Sequence, residues 1–272
     1  MSISNIMVPL DLAPASWDRL TIARSIAERL SAQLVGVSAC EALPTHLYGK
    51  GALINARIID HGSARASAEL AQVEAVFLAR TQGLSSVEWR ARPGDLRVVL
   101  AEQARMADLV VLGSVDPDDG QGWCAALAPG ELILQLGCPV LLVPSGVTSL
   151  AGTRVVVGWK DSREARRAVR DSLPLLLRAD SVCIATVGAE TMPDGAEDVA
   201  AYLTRCGVAE TTIVRSAASR SVAACLLSVA RLTEADLIVT GAYGHSRFHE
   251  RVFGSVTREL LAASPICCLM SH

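Results

Sequence analysis

The strongest constraint on this chain is that it repeats itself. Asp108-Leu-Val-Val-Leu-Gly113 returns as Asp236-Leu-Ile-Val-Thr-Gly241, 128 positions further on. The same offset, kept without gaps, pairs Glu131-Leu132 with Glu259-Leu260 and brings the terminal apolar runs Val140–Val143 and 268–271 into register. The starts correspond as well: Ile6-Met-Val-Pro-Leu-Asp11 resembles Val155-Val-Val-Gly-Trp-Lys160. A repeat of this length implies two structural units rather than one large core. The units run over 1–147 and 152–272, with a Ser/Gly/Thr-containing linker near 146–153.

Within the second unit, strand and helix patterns alternate. Strands are expected at 154–157, 182–187, 210–215, 236–240 and 266–270. Helices are expected from about Arg163, then at 197–205, Val222–Leu232 and 256–263. Asp161 or Ser162 is placed to cap the first of these helices. Ala165, Ala168, Val169, Ser172, Leu173 and Leu176 recur at helical spacing behind that cap. The first unit follows the same course, except for a longer, less regular stretch at 45–61. Apolar strands alternating with helices imply a parallel sheet covered on both faces. The fold class is α/β: two tandem Rossmann-like domains, each a five-stranded, mostly parallel sheet with helices on both faces. Ligands in such sheets lie beyond the carboxyl ends of the strands, where strand order reverses.

The fourth strand of the second unit leads into Gly241-Ala-Tyr-Gly244, and after nine residues into Gly254-Ser255-Val256-Thr257. Glycines at this turn permit close backbone approach and positive φ. Gly254 and Ser255 open the last helix, whose free N–H groups favour an anion. Ser255 and Thr257 add hydroxyl donors. His245 and Arg247 are either phosphate contacts or solvated loop residues, whereas His46, His61, His249 and His272 read as surface residues.

This G-x2-G-x9-G-[S/T] string, within GAYGHSRFHERVFGSVTRELL, resembles the C-terminal signature of the ATP-binding universal stress proteins. The resemblance covers both units, strongly the second and weakly the first. It implies an adenine-nucleotide-hydrolase-like fold and a site for ATP, with or without Mg²⁺. That site would draw on Gly158, Trp159 and Lys160 after the first strand, Val187 after the second, and Thr240, Gly241, Gly244, His245, Arg247, Gly254, Ser255, Val256 and Thr257. Family members that bind ATP often carry an acid where Lys160 stands. Trp159 would either cover the adenine or pack against the neighbouring helix. In the first unit Asp116 replaces the second glycine and Ala126-Leu127 replace Gly-Ser. Its loop Asp116-Pro-Asp-Asp-Gly120 is acidic, and Asp11 keeps the strand-end acid but is expected to lack a partner. The first unit is therefore expected to bind no nucleotide. The resemblance also implies pairing of the two units through their last strands, and it is compatible with a further homodimer.

Other chemistries are poorly supported. There is no G-x4-G-K-[ST] or G-x-S-x-G motif, and neither strand-end loop matches the S-G-G-x-D or H-I-G-H loops of adenylylating folds. His245, His249 and Glu250 are candidate bases, but their spacing selects none. The eight cysteines form no C-x-x-C pair and read as reduced, structural residues. A net charge of -3 and 4% aromatic residues argue against nucleic acid as a partner. No apolar run reaches the ~18 residues of a membrane span, and no secretory signal is evident, so a cytoplasmic setting is expected. Two function classes remain. One is a nucleotide-binding stress or regulatory protein with at most slow hydrolysis. The other is a nucleotide-free interaction or dimerisation module.

Overall fold

The computed structural model describes residues 2–41, 56–114, 124, 127–188, 195–217, 221–244 and 255–272. The first half contains β1 (Asn5–Pro9), α1 (Pro14–Leu30), β2 (Gln33–Cys40), α2 (Ala56–Arg80), β3 (Val87–Pro93), α3 (Leu96–Gln103), β4 (Leu109–Gly113), α4 (Pro129–Gln135) and β5 (Val140–Val143). The second half repeats the order with β6 (Arg154–Gly158), α5 (Arg163–Leu176), β7 (Ser181–Val187), α6 (Ala196–Cys206), β8 (Thr211–Ser216), α7 (Val222–Leu232), β9 (Leu237–Gly241), α8 (Ser255–Ala263) and β10 (Cys267–Ser271). Helix α2 begins by Ala56, so His61 lies inside it rather than in the irregular stretch expected before it.

Local chemistry places the helix starts. The Ser162 hydroxyl accepts the Ala165 amide at 3.2 Å, so Ser162 rather than Asp161 caps α5. Ser221 caps α7 in the same way through the Ala224 amide. At the end of α6, Gly207 takes φ 96°, a left-handed cap that a glycine adopts without steric cost.

The strands do not form two separate sheets. They lie in one ten-stranded sheet ordered β3-β2-β1-β4-β5-β10-β9-β6-β7-β8. Within each half every pair is parallel, and the halves meet at one antiparallel seam. There Leu142 pairs with Cys268, Leu141 with Leu269 and Val140 with Met270. Strand alternation sends Leu141, Val143, Cys267 and Leu269 into one hydrophobic layer, and Val140, Leu142, Cys268 and Met270 into the other. Cys267 and Cys268 thus face opposite layers, and all eight cysteines are free. Burial pushes the thiols of Cys124, Cys138, Cys267 and Cys268 up to about 12, which keeps them protonated at neutral pH.

The aspartate that opens the repeated motif has a structural task in both copies. Asp108 accepts the amides of Ser4 and Asn5 at 2.8 and 2.9 Å, where the chain enters β1. Asp236 accepts those of Ala151 and Gly152 at 2.7 and 2.9 Å, just before β6. Among the described residues, no helix is long and apolar enough to cross a membrane.

Leu269 is fully buried at the centre of the seam. Leu269→Ala should cost ~2–5 kcal/mol of stability. It should lower the urea midpoint in one transition, with circular dichroism and tryptophan fluorescence coinciding. Two separated transitions would show that the seam does not couple the halves.

Candidate functional site

In the second half strand order reverses between β6 and β9, and the crevice beyond their carboxyl ends is the place such a sheet offers to a ligand. Gly158, Trp159 and Lys160 end or follow β6, Val187 ends β7, and Thr240 and Gly241 end β9. The Thr240 hydroxyl reaches the Gly158 carbonyl at 3.4 Å and so bridges the two strands. Trp159 donates its amide to the Ala185 carbonyl at 2.8 Å. Its indole is 7% exposed and belongs to the core layer under α5, so it packs as a core residue. Lys160 is exposed, and Val187 is half-buried at the strand end.

The glycines do something different from what their spacing suggests. Neither Gly241 nor Gly244 has positive φ; within this turn it is Tyr243, at φ 58°, that takes the left-handed conformation. Gly241 is required for packing. A Cβ there would lie 2.5 Å from the Ala165 nitrogen and 2.7 Å from the Glu164 carbonyl carbon, both backbone atoms of α5. Gly158 likewise admits α7, since its Cβ would sit 2.9 Å from Leu226 Cδ1. Gly244 lies over the first turn of α5, where a Cβ would come 3.1 Å from Glu164 Oε2 and 3.3 Å from Ser162 Oγ.

Helix α8 opens beside this turn. Ser255 is exposed on its first residue and Val256 is half-buried. Thr257, expected as a donor toward a ligand, is 2% exposed, and its hydroxyl oxygen accepts the Tyr243 amide at 3.4 Å. It is a brace between turn and helix. Gly254, His245, Arg247, His249 and Glu250 lie outside the described residues, as does His46. His61 is exposed, whereas His272 is half-buried. The His272 ring Nδ1 is 3.1 Å from the Ala242 carbonyl, and the ring lies edge-on to Tyr243, so His272 is part of the turn's support.

Glu164, which the sequence did not single out, sits in the first turn of α5 beneath Gly244, 7% exposed. Burial works against its charge. Hydrogen bonds from its own amide, from Arg163 at 3.0 Å and from Ser162 outweigh that cost and hold the carboxyl below the usual range. The available signal was an acid in the first turn of the helix that follows the strand end where Lys160 replaces the expected acid.

The equivalent crevice of the first half is occupied by the chain itself. Arg19 is 5% exposed, and its guanidinium donates to the Ser16 hydroxyl at 2.8 Å. Ser16 in turn donates to Asp11. Asp11 is 1% exposed and also accepts the Ala13 amide at 3.0 Å and the Cys124 amide at 2.8 Å. Asp11 therefore does not lack partners, contrary to expectation. Gly113, the counterpart of Gly241, faces this arginine: a Cβ would lie 2.9 Å from Arg19 Nη1. The positions matching Ser16 and Arg19 in the second half are Ala165 and Ala168, both buried and small. Among the described residues, no three His, Cys, Asp or Glu side chains are grouped to hold a metal ion.

Comparison with known proteins fits this geometry. Residues 189–272 match the model of the Universal stress protein family. A universal stress protein from Archaeoglobus fulgidus superposes with a TM-score of 0.75 at 15% identity, covering 100% of this chain and 99% of that one. A functionally unknown protein from Pseudomonas aeruginosa gives 0.56 at 14% identity, covering 99% and 92%. A putative universal stress protein from the same species gives 0.55 at 15%, covering 99% and 93%. Comparison with curated proteins finds no match. The fold is α/β, with one mostly parallel sheet carrying helices. Residues 189–272 are thus similar to the universal stress protein family, and the whole chain shares the fold of the solved universal stress protein it superposes on.

Because the atoms that a Gly241 Cβ would strike are backbone, no rotamer change relieves the clash. Gly241→Ala should cost ~1–3 kcal/mol in chemical denaturation. Wild-type stability in this variant would refute the packing role.

Proposed function

We propose that the second half binds an adenine nucleotide, ATP in the first instance and with or without Mg²⁺, at the crevice between β6 and β9. In this reading the first half binds none and serves as a structural and regulatory partner. The observation that carries the proposal is the contrast between the two crevices. The first is filled by the buried Arg19–Ser16–Asp11 cluster. In the second, Ala165 and Ala168 stand where Ser16 and Arg19 do, and the Gly241–Gly244 turn adjoins the N-terminal end of α8 with Ser255 exposed on it. Unpaired N–H groups and the helix dipole make such an end favourable to phosphate. The family includes a chain solved in complex with cAMP.

The buried, ionised Glu164 disfavours phosphate beneath Gly244. The phosphates therefore belong toward α8, and the hydroxyl-bearing part of the nucleotide toward α5. The role inferred is retention or sensing of nucleotide in a stress or regulatory response, with at most slow hydrolysis. Eight free cysteines suit a reducing compartment, in keeping with a cytoplasmic setting. The competing reading, a nucleotide-free interaction module, draws on Gly158 and Gly241, whose lack of a Cβ is accounted for by α7 and α5 alone.

The test is titration of the full chain with ATP, comparing Ser255→Asp with wild type. An acid at a helix N-terminus favours the helix itself, so the thermal midpoint should hold or rise. Affinity should fall by about tenfold or more, roughly 1.4 kcal/mol. Equal affinity in the two proteins would remove α8 from the site.

A further inference from the structure

We propose that Tyr243 is a positioning residue through which helix α4 of the first half sets the shape of the second half's binding turn. The inference rests on the nucleotide-site reading above and adds to it a means of control from outside the site.

Tyr243 is held at three points. Its amide donates to the Thr257 hydroxyl oxygen in the first turn of α8, at 3.4 Å. Its ring lies edge-on to His272, with centroids 6.3 Å apart and planes at 72°. His272 is itself fixed by its ring nitrogen at the Ala242 carbonyl, 3.1 Å away, and by Arg167, which donates to its backbone carbonyl. The third point lies in the other half of the chain. The phenol oxygen reaches over α4 so closely that a Cβ on Gly130 would lie 2.5 Å from it and 3.4 Å from Leu261 Cδ1 of α8. Real Cβ atoms essentially never show the first distance, so a side chain at position 130 would have to displace the phenol. At the repeat-equivalent position on α8 the residue is Arg258, which is exposed. The glycine of α4 is therefore not repeated on α8.

The left-handed backbone of Tyr243 gives the contact its leverage. A bulky residue at φ 58° is costly and persists only where its surroundings hold it. Displacing the phenol moves the ring, and the ring moves the backbone between Gly241 and Gly244 together with the Thr257 brace. Those elements border the proposed crevice, whereas α4 belongs to the first half. A change at Gly130 should therefore reach the site through the tyrosine hydroxyl.

The experiment is ATP titration of wild type, Gly130→Ala, Tyr243→Phe and the double variant, alongside the NMR signals of the His272 ring in each without nucleotide. Gly130 does not have positive φ, so alanine suits the helical backbone and the variant should fold. Gly130→Ala should weaken ATP binding by about fivefold and shift the His272 signals. On a Tyr243→Phe background, which lacks the oxygen that is struck, the same substitution should cost no further affinity and leave the His272 signals in place. Wild-type affinity and unmoved His272 signals in Gly130→Ala would overturn the proposal, as would an undiminished effect in the double variant. If wild type takes up no ATP, the site reading itself fails, and the His272 signals alone decide whether Gly130 acts on the turn through Tyr243.

Discussion

Everything else in the molecule depends on the short antiparallel seam between β5 and β10. Each half alone would leave a terminal strand with unpaired backbone groups at the edge of a five-stranded sheet, an arrangement that invites uncontrolled pairing. Joining the edges satisfies those groups within one chain and makes both hydrophobic layers continuous from one half to the other. The seam also brings α4 of the first half against α8 of the second, and so places Gly130 within reach of Tyr243.

On this shared frame the two crevices differ, among the described residues, in the side chains that their helices bring to them. A buried arginine and aspartate are costly unless hydrogen-bonded. In the first half Ser16 links them, and the Cys124 and Ala13 amides complete the carboxylate's shell. A crevice filled in this way gains structure. The second half keeps alanines at the matching helix positions and places its charge differently, with Glu164 under the glycine turn and Lys160 exposed at the strand end.

The architecture was legible in the sequence because it rests on periodic signals. The 128-residue offset, the apolar runs of the strands and the Ser162 cap all report local chemistry, and the structure places these elements within a residue or two of their expected bounds. The site was legible only in outline. Positive φ at Tyr243 rather than at the glycines follows from contacts with Thr257, His272 and Gly130, which are distant in sequence. The need for glycine at 241 comes from the approach of α5, and no spacing rule within the loop contains it. Part of the network around Asp11 was missed for the same reason, since the Cys124 amide arrives from more than a hundred positions away.

The central claim is that a duplicated fold retains one working nucleotide site, in the second half, while the first fills its own. The most direct measurement is the binding stoichiometry of ATP to the full chain, by equilibrium dialysis after removal of any nucleotide that co-purifies. One nucleotide per chain is expected. Two per chain would contradict the self-filled first half, and none would leave the second half as an interaction module whose glycines serve only its packing.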